Sequence, residues 1–397
     1  MRSSVFVLFT APAFALSLQQ ALDQGLAAHS LLEVADARTR GAEGLRTQAA
    51  LKPNPRLFLQ SENTRFGGNP GFSYPRDADS FLYASQVIET GQKRTLRAAA
   101  ADATVKRAVA DRDTLRWQLA GRIAAAYWTA AGAARYRDAF AESLRNFDLT
   151  VQYHRDRVRE GAMAEVDSLR VQLESERLRA AFRSAEQDVI VNRIKLFREM
   201  GLPDQPDTAF SEPIEELPIV ERAVDTATRP DLASYQQGIR QAGANVDLQK
   251  ANARPDPEVL GGYKRTSGFD TLIVGVQINL PFRNRNEGNI AAALADANGA
   301  AALQRAAERA ARSEVEAAFT AYEARRTLVA DTLPAIRERA REIARISGAA
   351  YREGGADLLR LLDAERARID TDLLYVRALT DFHLSVVELR SAQGMLR

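Results

Sequence analysis

The apolar positions of this chain follow a helical spacing over most of its length. In the first half, a stretch of more than sixty residues without a proline runs to Arg159. Within it Leu144, Phe147, Val151 and His154 alternate steps of three and four, which is the spacing of a coiled-coil seam. At 1.5 Å per residue such a helix is about 100 Å long. Because no compact globule has a core that wide, the pattern predicts an elongated helical protein.

The same order of predicted helices and strands occurs twice along the chain. A glycine corner at Gly161 returns at Gly354 after a shift of 193 residues. In each copy a helix, two short strands and a long helical stretch precede the corner, and a helix of about forty residues follows it. A self-match at a fixed shift indicates a tandem repeat. The predicted divisions are a first repeat at 16–202, a proline-rich link at 203–218 and a second repeat at 219–397, with hairpin tips near 159–164 and 352–357.

Each repeat also contains two stretches with the character of β-strands. In the last of them, apolar residues occupy alternate positions from Leu272 to Leu280, and Ile273 breaks the alternation. A length of about ten residues suits a tilted strand that crosses a membrane. An ordinary half-buried hairpin in a soluble protein has a similar pattern, so this strand alone does not decide between the two. The strands are predicted at 56–66, 79–89, 258–265 and 270–281.

Prolines are predicted to end, break or kink the remaining helices. A helix is predicted over residues 17–51, ended by Pro53. The first helix of the second repeat is predicted from Ile219 to about Ala253, with a break at Pro230. The second long helix is expected to kink at Pro334, since proline removes one backbone hydrogen bond and clashes with the preceding turn.

The N-terminus has the features of a secretory signal peptide over residues 1–15. Arg2 supplies a positive end, an apolar run follows at residues 5–9, and the small residues Ala13 and Ala15 form a cleavage site. Cleavage would leave Leu16 as the first mature residue. The chain is therefore expected to leave the cytoplasm.

Composition narrows the classes of function. The 54 Lys and Arg residues nearly balance the 52 Asp and Glu residues, so no excess positive charge points to nucleic acid. With 0 cysteines there is no disulfide and no thiolate metal site. No apolar run approaches the roughly 20 residues of a membrane-spanning helix.

If the strands cross a membrane, they must close into a barrel, because lipid cannot satisfy an open strand edge. Four strands in one chain are too few, since about eight is the smallest number in a membrane barrel. A membrane location therefore requires several copies of the chain. The number of copies stays open on this argument.

Taken together, these features resemble the TolC family of outer-membrane efflux channels over essentially the whole mature chain. The most specific motifs are residues 354–365, which include a Leu-Leu-Asp-Ala-Glu run, and the strand end at residues 276–282. Within the family, residues 90–94 and 284–289 are most similar to the CzcC branch, which serves pumps that export cobalt, zinc and cadmium.

The resemblance implies a mainly α fold with a small β part. Two tandem repeats would assemble as a homotrimer, with one 12-stranded barrel in outer-membrane lipid and an α-helical barrel extending into the periplasm. The implied partners are a periplasmic membrane-fusion adaptor and an inner-membrane RND transporter. The protein would be a passive duct with no enzymatic activity and no cofactor.

The resemblance also implies roles for residues at the corners. The corners would be the periplasmic tips that contact the adaptor, and an aspartate ring near the second tip would narrow the pore, since rings of carboxylates select cations. Arg360 stands where the family's second constriction aspartate is expected, and these charges could equally be ordinary solvated helix charges. The predicted docking residues are Gly161, Ala162, Met163, Gly354, Gly355 and Ala356, and the predicted aperture residues are Asp363, Arg360, Asp357 and Asp167.

No dedicated metal or catalytic site is predicted. His29, His154 and His383 lack a second ligand three or four residues away, and His154 on its apolar seam is expected to be a packed core residue. No nucleophile elbow or phosphate-binding loop is present. Two alternatives stay open: the same duct could serve drugs or type I protein secretion, or the chain could be a periplasmic coiled-coil scaffold without a pore.

Overall fold

A computed structural model describes residues 15–65, 67, 71–222 and 228–396. The predicted fold class, mainly α with a small β part in two tandem repeats, is confirmed for the single chain. The strands are β1 (Ala15–Leu16), β2 (Arg56–Glu62), β3 (Asp79–Val87), β4 (Ala209–Phe210), β5 (Pro257–Thr266) and β6 (Phe269–Ile278). The helices are α1 (Leu18–Ala28), α2 (Ser30–Ala49), α3 (Tyr74–Asp77), α4 (Lys93–Arg159), α5 (Glu165–Met200), α6 (Pro230–Asn252), α7 (Glu287–Thr327), α8 (Leu333–Arg352) and α9 (Leu358–Ala392).

The chain divides into two compact units. The helical unit comprises the described residues within 1–33, 114–229 and 308–397. The sheet unit comprises the described residues within 34–113 and 230–307. The helices α4 and α7 each contribute residues to both units, which are described separately below.

The helical unit has a large apolar core and two smaller clusters. The large core includes the fully buried Tyr127, Phe197 and Phe382, contributed by α4, α5 and α9. A second cluster joins Phe140 to Leu373, and a third surrounds Phe147 close to the glycine corners. Apolar burial of this kind supplies most of the stability of helices that are otherwise rich in charge.

The link between the repeats is anchored to the helical unit by polar contacts. The Glu212 carboxylate accepts hydrogen bonds from the Tyr127 hydroxyl and from the backbone N–H of Leu18, the latter at 2.7 Å. The His383 ring donates from Nε2 to the carbonyl of Ile214 at 2.9 Å and stacks on Trp128. Burial lowers the pKa of His383, so the ring is held in its neutral form.

The sheet unit is built on four antiparallel strands in the order β2-β3-β5-β6. Cross-strand partners share a face of a sheet, so the register assigns every side chain to one of two faces. The apolar face carries exposed large hydrophobic side chains, among which Leu272 is 85% and Val274 is 81% exposed. The opposite, mixed face carries charged and aromatic residues, including an Arg56–Glu258 ion pair and a stacked Phe58–Tyr83 pair.

Two of these strands approach each other unusually closely at one glycine. A Cβ added to Gly262 would lie 2.2 Å from the carbonyl oxygen of Leu82 and 2.4 Å from the Cα of Tyr83. Both of these atoms belong to the backbone of β3, so neither can move unless β3 itself shifts. Gly262 is therefore required for the pairing of β3 with β5.

Several predicted boundaries are corrected by the structure. The helix predicted over residues 17–51 is divided at His29, which is extended and ends α1. Of the helix predicted from Ile219, residues 219–222 are not helical and residues 223–227 lie outside the described residues; α6 begins at Pro230, where the break was predicted, because proline is well suited to the first turn of a helix. Directly before Pro334, where a kink is predicted, the structure has a π-helical turn at Leu328–Thr332, which adapts the backbone to the missing N–H.

At the N-terminus, Ala13 and the rest of residues 1–14 lie outside the described residues. Ala15, the predicted cleavage position, belongs to β1 and pairs with Ala209 of the link. Across the described residues, none of the helices is both long enough and apolar enough to span a membrane.

Candidate functional site

The first corner is a glycine-capped helix end. Gly161 has a φ of +71°, a conformation that only glycine adopts without strain. Its N–H donates to the carbonyl of Val158 at 2.9 Å, and the N–H of Ala162 donates to the carbonyl of Arg157 at 2.9 Å. These two bonds form a Schellman motif, which satisfies the last carbonyls of α4 and turns the chain toward α5.

The second corner has the same geometry 193 residues later. Gly354 has a φ of +78°, and its N–H donates to the carbonyl of Tyr351 at 3.1 Å. The N–H of Gly355 donates to the carbonyl of Ala350 at 2.8 Å. The repeat seen in the sequence is thus also a repeat of individual backbone hydrogen bonds.

The two corners differ in how the next helix begins. The Asp357 carboxylate accepts a hydrogen bond from the backbone N–H of Arg360 at 2.9 Å and so caps the N-terminus of α9. The equivalent residue of the first repeat, Ala164, has no side-chain cap to offer α5. Asp357, one of the predicted aperture residues, is therefore already engaged in stabilising its own helix.

The predicted docking residues form a small, accessible surface. Gly161, Ala162, Gly354 and Gly355 are exposed. The remaining two, Met163 and Ala356, are partly buried. No side chain larger than Met163 is among the six, which leaves the backbone at both corners open to a close approach. The contact of these residues with a partner stays a prediction.

A buried polar bridge joins α4 to α8 beside the corners. His154 is 0% exposed, and its two ring nitrogens lie 2.7 Å from the carbonyl oxygen of Thr150 and 2.9 Å from the hydroxyl of Tyr351. Because a carbonyl can only accept, Nδ1 carries the proton and Nε2 accepts from Tyr351 in neutral His154. The Tyr351 hydroxyl also lies 4.0 Å from the sulfur of Met163 in the first corner.

This bridge lies in an apolar setting. Phe147, Val151, Val171, Leu358 and Leu362 are among the buried residues of the surrounding cluster. Burial raises the pKa of the Tyr351 hydroxyl, and the negative charge of Asp167 raises it further. The packed position of His154 was indicated by its place on the coiled-coil seam. Tyr351 is not among the predicted site residues, because its partner is almost two hundred residues away in the sequence.

The remaining aperture residues are not brought together within one chain. Arg360 is exposed on α9. The Asp363 side chain is 63% exposed, with an oxygen 3.6 Å from the guanidinium of Arg366. Asp167, on α5, is partly buried and lies 3.7 Å from Arg170. A ring of carboxylates needs further copies of the chain, so the aperture assignment stays a prediction.

A second connection between the helical hairpins runs through Glu174. Its carboxylate accepts two hydrogen bonds from Arg366, from Nη2 at 2.5 Å and from Nε at 3.1 Å, and it also contacts Arg177. The hydrogen bonds from Arg366 hold the pKa of Glu174 below its usual value. This bidentate pair ties α5 to α9 at the edge of a cavity of about 600 Å³ lined by Tyr136 and Phe140.

Glu174 is likewise absent from the predicted site. Acidic residues are frequent on both helices, and a sequence pattern does not reveal which of them meets an arginine 192 residues away. Among the described residues, no group of three or more His, Asp or Glu side chains is arranged to hold a metal ion.

Comparisons with known proteins agree with this architecture. Residues 226–395 match the outer membrane efflux protein family. The nickel-cobalt-cadmium resistance protein NccC of Alcaligenes xylosoxydans xylosoxydans is 27% identical over 290 residues. That alignment covers 72% of this chain and 64% of NccC, so the chain spans somewhat less than two thirds of this relative.

Solved structures share the fold at low sequence identity. CusC superposes with a TM-score of 0.81 at 15% identity, over 98% of this chain and 96% of CusC. VceC of Vibrio cholerae, an outer membrane protein, gives a TM-score of 0.79 at 20% identity, over 95% and 96% of the two chains. The outer-membrane channel OprN gives 0.77 at 22% identity, over 95% of this chain and 89% of OprN.

Proposed function

We propose that this chain, whose residues 226–395 match the outer membrane efflux protein family, is the outer-membrane channel subunit of a tripartite efflux system. Its location is the outer membrane, with the helical part extending into the periplasm. In this role the protein is a passive exit duct that binds no cofactor and catalyses no reaction. An inner-membrane transporter of the RND type supplies the energy.

The observation that carries the proposal is the sheet with one apolar face and two open edges. The strands β2 and β6 each pair on one side only among the described strands. On the apolar face, Leu57 and Leu59 of β2 are exposed at one edge of the sheet, and alternate residues of β6 are exposed at the other edge. In water this combination would invite aggregation, whereas in a bilayer the face contacts lipid and the edges pair with further copies.

The height of the apolar face suits a bilayer. From Leu272 to Leu280 the exposed alternate residues span about 27 Å along the strand at a rise of 3.3–3.4 Å per residue. A tilt of about 40° reduces this to about 21 Å, close to the apolar band of about 25 Å in outer-membrane proteins. At the end of this band nearer the β5–β6 turn, Tyr263, Arg265 and Asp270 form a polar cluster on the same face.

The strand directions permit closure by identical copies. Successive strands in the order β2-β3-β5-β6 are antiparallel, so β6 of one copy runs antiparallel to β2 of the next. Three copies then supply the twelve strands that the family resemblance implies. In this assembly the corners at Gly161 and Gly354 meet the periplasmic adaptor, and Asp363 narrows the pore.

We propose divalent heavy-metal cations as the cargo. The support is the similarity to NccC, whose name assigns it to nickel, cobalt and cadmium resistance. Because the described residues hold no metal-binding cluster, selection of the metal would fall to the partner proteins. Drugs or proteins as cargo are outcomes that the genetic test below distinguishes.

The membrane assignment is tested by a pair of neighbouring substitutions on β6. Val274→Asp places a charge on the apolar face, and Thr271→Asp places the same charge on the mixed face. A charge in the bilayer core costs about 2–4 kcal/mol near its midplane. We expect Val274→Asp to reduce the heat-sensitive trimer band extracted from outer membranes, with Thr271→Asp close to the wild type.

Equal assembly of both variants, or a wild-type protein found as a soluble periplasmic monomer, would refute the channel and favour the coiled-coil scaffold. The cargo is tested separately by deleting the gene. We expect lower tolerance of cobalt, zinc and cadmium, restored by the wild-type gene. Unchanged metal tolerance with reduced drug tolerance or protein secretion would refute the metal cargo and leave the duct intact.

A further inference from the structure

The two ends of the sheet differ in charge. We define the basal segments as the residues at the end where the strands join the long helices. They contain nine basic residues and four acidic residues. The loops at the other end, residues 62–79 and 264–270, contain four of each sign. The basal segments are residues 50–56, 88–97, 250–258 and 279–287.

The register places the basal segments side by side. Arg56 pairs with Ser85, and Glu258 pairs with both Val87 and Gln277, so all four strands reach the same end together. Contacts between the segments confirm this. The ammonium group of Lys93 donates to the carbonyl of Arg254 at 2.6 Å, and the Gln86 amide donates to the carbonyl of Pro53 at 2.9 Å.

Most of the basal acids are already paired. Asp256 accepts from Lys93 at 2.6 Å, Glu89 pairs with Arg97, and Glu258 lies 3.9 Å from Arg56. Of the four acids only Glu287 has no such partner among the described residues. Six exposed cations likewise have no carboxylate within ion-pairing distance in the described part of the chain: Lys52, Arg94, Lys250, Arg254, Arg283 and Arg285.

The position of this charge relative to the apolar face identifies its partner. The apolar face ends with the exposed Leu280 and Phe282, and Arg283 and Arg285 follow within three residues. A ligand that covers both the apolar face and the basic residues must have an apolar part for the first and an anionic part for the second. Basic residues directly beside a membrane segment attract anionic lipid headgroups, each contributing to the attraction.

Resting on the proposed membrane location, we propose that the basal segments bind the headgroups of anionic phospholipids in the leaflet that faces the helices. The acyl chains cover the apolar face, and the phosphates lie against the unpaired lysine and arginine side chains. This contact sets the depth of the sheet in the bilayer. It also gives the channel a preference for phosphatidylglycerol-type lipids over zwitterionic ones.

The test uses three of the six cations. Arg254 and Arg283 line a cavity of about 810 Å³ that also includes Glu258 and Gln277 of the mixed face, so their side chains have a second possible environment. Lys52, Arg94, Lys250 and Arg285 do not line this cavity, and three of these four suffice for the test. The test variant therefore carries Lys52→Gln, Arg94→Gln and Arg285→Gln together.

The protein is reconstituted as its native assembly, and its lipid contacts are measured with spin-labelled phosphatidylglycerol and spin-labelled phosphatidylcholine. The readout is the ratio of their association constants at the protein surface. We expect the wild type to favour phosphatidylglycerol by about twofold or more at low salt and less at high salt. We expect the triple glutamine variant to bring the ratio close to one.

The matched control exchanges the same residues without changing charge: Lys52→Arg, Arg94→Lys and Arg285→Lys. It should keep the wild-type ratio, because the attraction depends on charge rather than on one side-chain geometry. A wild-type ratio near one, a ratio unaffected by the glutamine variant, or loss of the ratio in the control would overturn the proposal. If neither lipid is immobilised by the protein, the membrane location itself is wrong.

Discussion

The bridge between His154 and Tyr351 permits a quantitative prediction about the corners. Tyr351→Phe removes only the hydroxyl that donates to Nε2 of His154 at 2.9 Å. His154 is 0% exposed, so water cannot replace the lost donor in the folded state. A buried acceptor left without a partner costs about 1–3 kcal/mol. At about 1.4 kcal/mol per factor of ten, the helix ends beside the corners should open about 5 to 150 times more often.

Native-state hydrogen exchange measures this opening directly. Wild-type protein and the Tyr351→Phe variant are compared in lipid nanodiscs, with exchange followed by mass spectrometry. Amides of α4 and α8 next to the corners should lose protection by the factor given above. Amides around Tyr127, in the large core of the helical unit, should not change.

Tyr136→Phe is the matched control. The hydroxyl of Tyr136 accepts a hydrogen bond from Arg377 at 2.5 Å in an exposed position, where water can satisfy the arginine. Its removal should therefore change protection much less than Tyr351→Phe. The double variant Tyr351→Phe/His154→Leu should recover part of the loss, since it removes the buried acceptor as well. Equal effects of the two tyrosine variants would refute the reasoning.

Three further predictions concern the link, the pore and the sheet. Burial lowers the pKa of His383 below its usual 6.5, so the unfolded chain binds a proton at a higher pH than the folded chain does. The stability of the fold should therefore fall as the pH drops below about 6.5 and stay level above it. Melting temperatures measured across this pH range should show the fall, and the His383→Gln variant should show a smaller one. Asp363→Ala should raise ion conductance in planar bilayers and reduce block by multivalent cations, and wild-type behaviour would remove Asp363 from the aperture. Gly262→Ala should lower the yield of assembled protein, because its Cβ would lie 2.2 Å from the Leu82 carbonyl oxygen, whereas Gly288→Ala meets no atom within 4 Å and should assemble normally.

The glycine corners show that some features of the structure can be predicted from a few consecutive residues. The positive φ of Gly161 and Gly354 and their paired hydrogen bonds depend on a few consecutive residues. A helix end of this type is therefore visible in the sequence, and the shift of 193 residues identifies both copies. The alternation in β6 is equally local, and it predicted which residues occupy the apolar face.

Boundaries that depend on neighbouring segments were less predictable. The π-helical turn before α8 follows from how the backbone is accommodated around Pro334. The break between α1 and α2 at His29 has no glycine or proline to signal it. In each case the local pattern permits a longer helix, and the packed chain decides where it ends.

By itself, the sequence determined the repeat, the coiled-coil seams, the two corners and the alternating strands, because each depends on residues close together along the chain. Only the tertiary structure decided which distant polar groups meet. Tyr351 reaches His154, Arg366 reaches Glu174, and His383 reaches the carbonyl of Ile214. The physical reason is that any exposed charge or hydroxyl on a long helix is an acceptable surface group. It becomes a specific contact only when another helix excludes water from it.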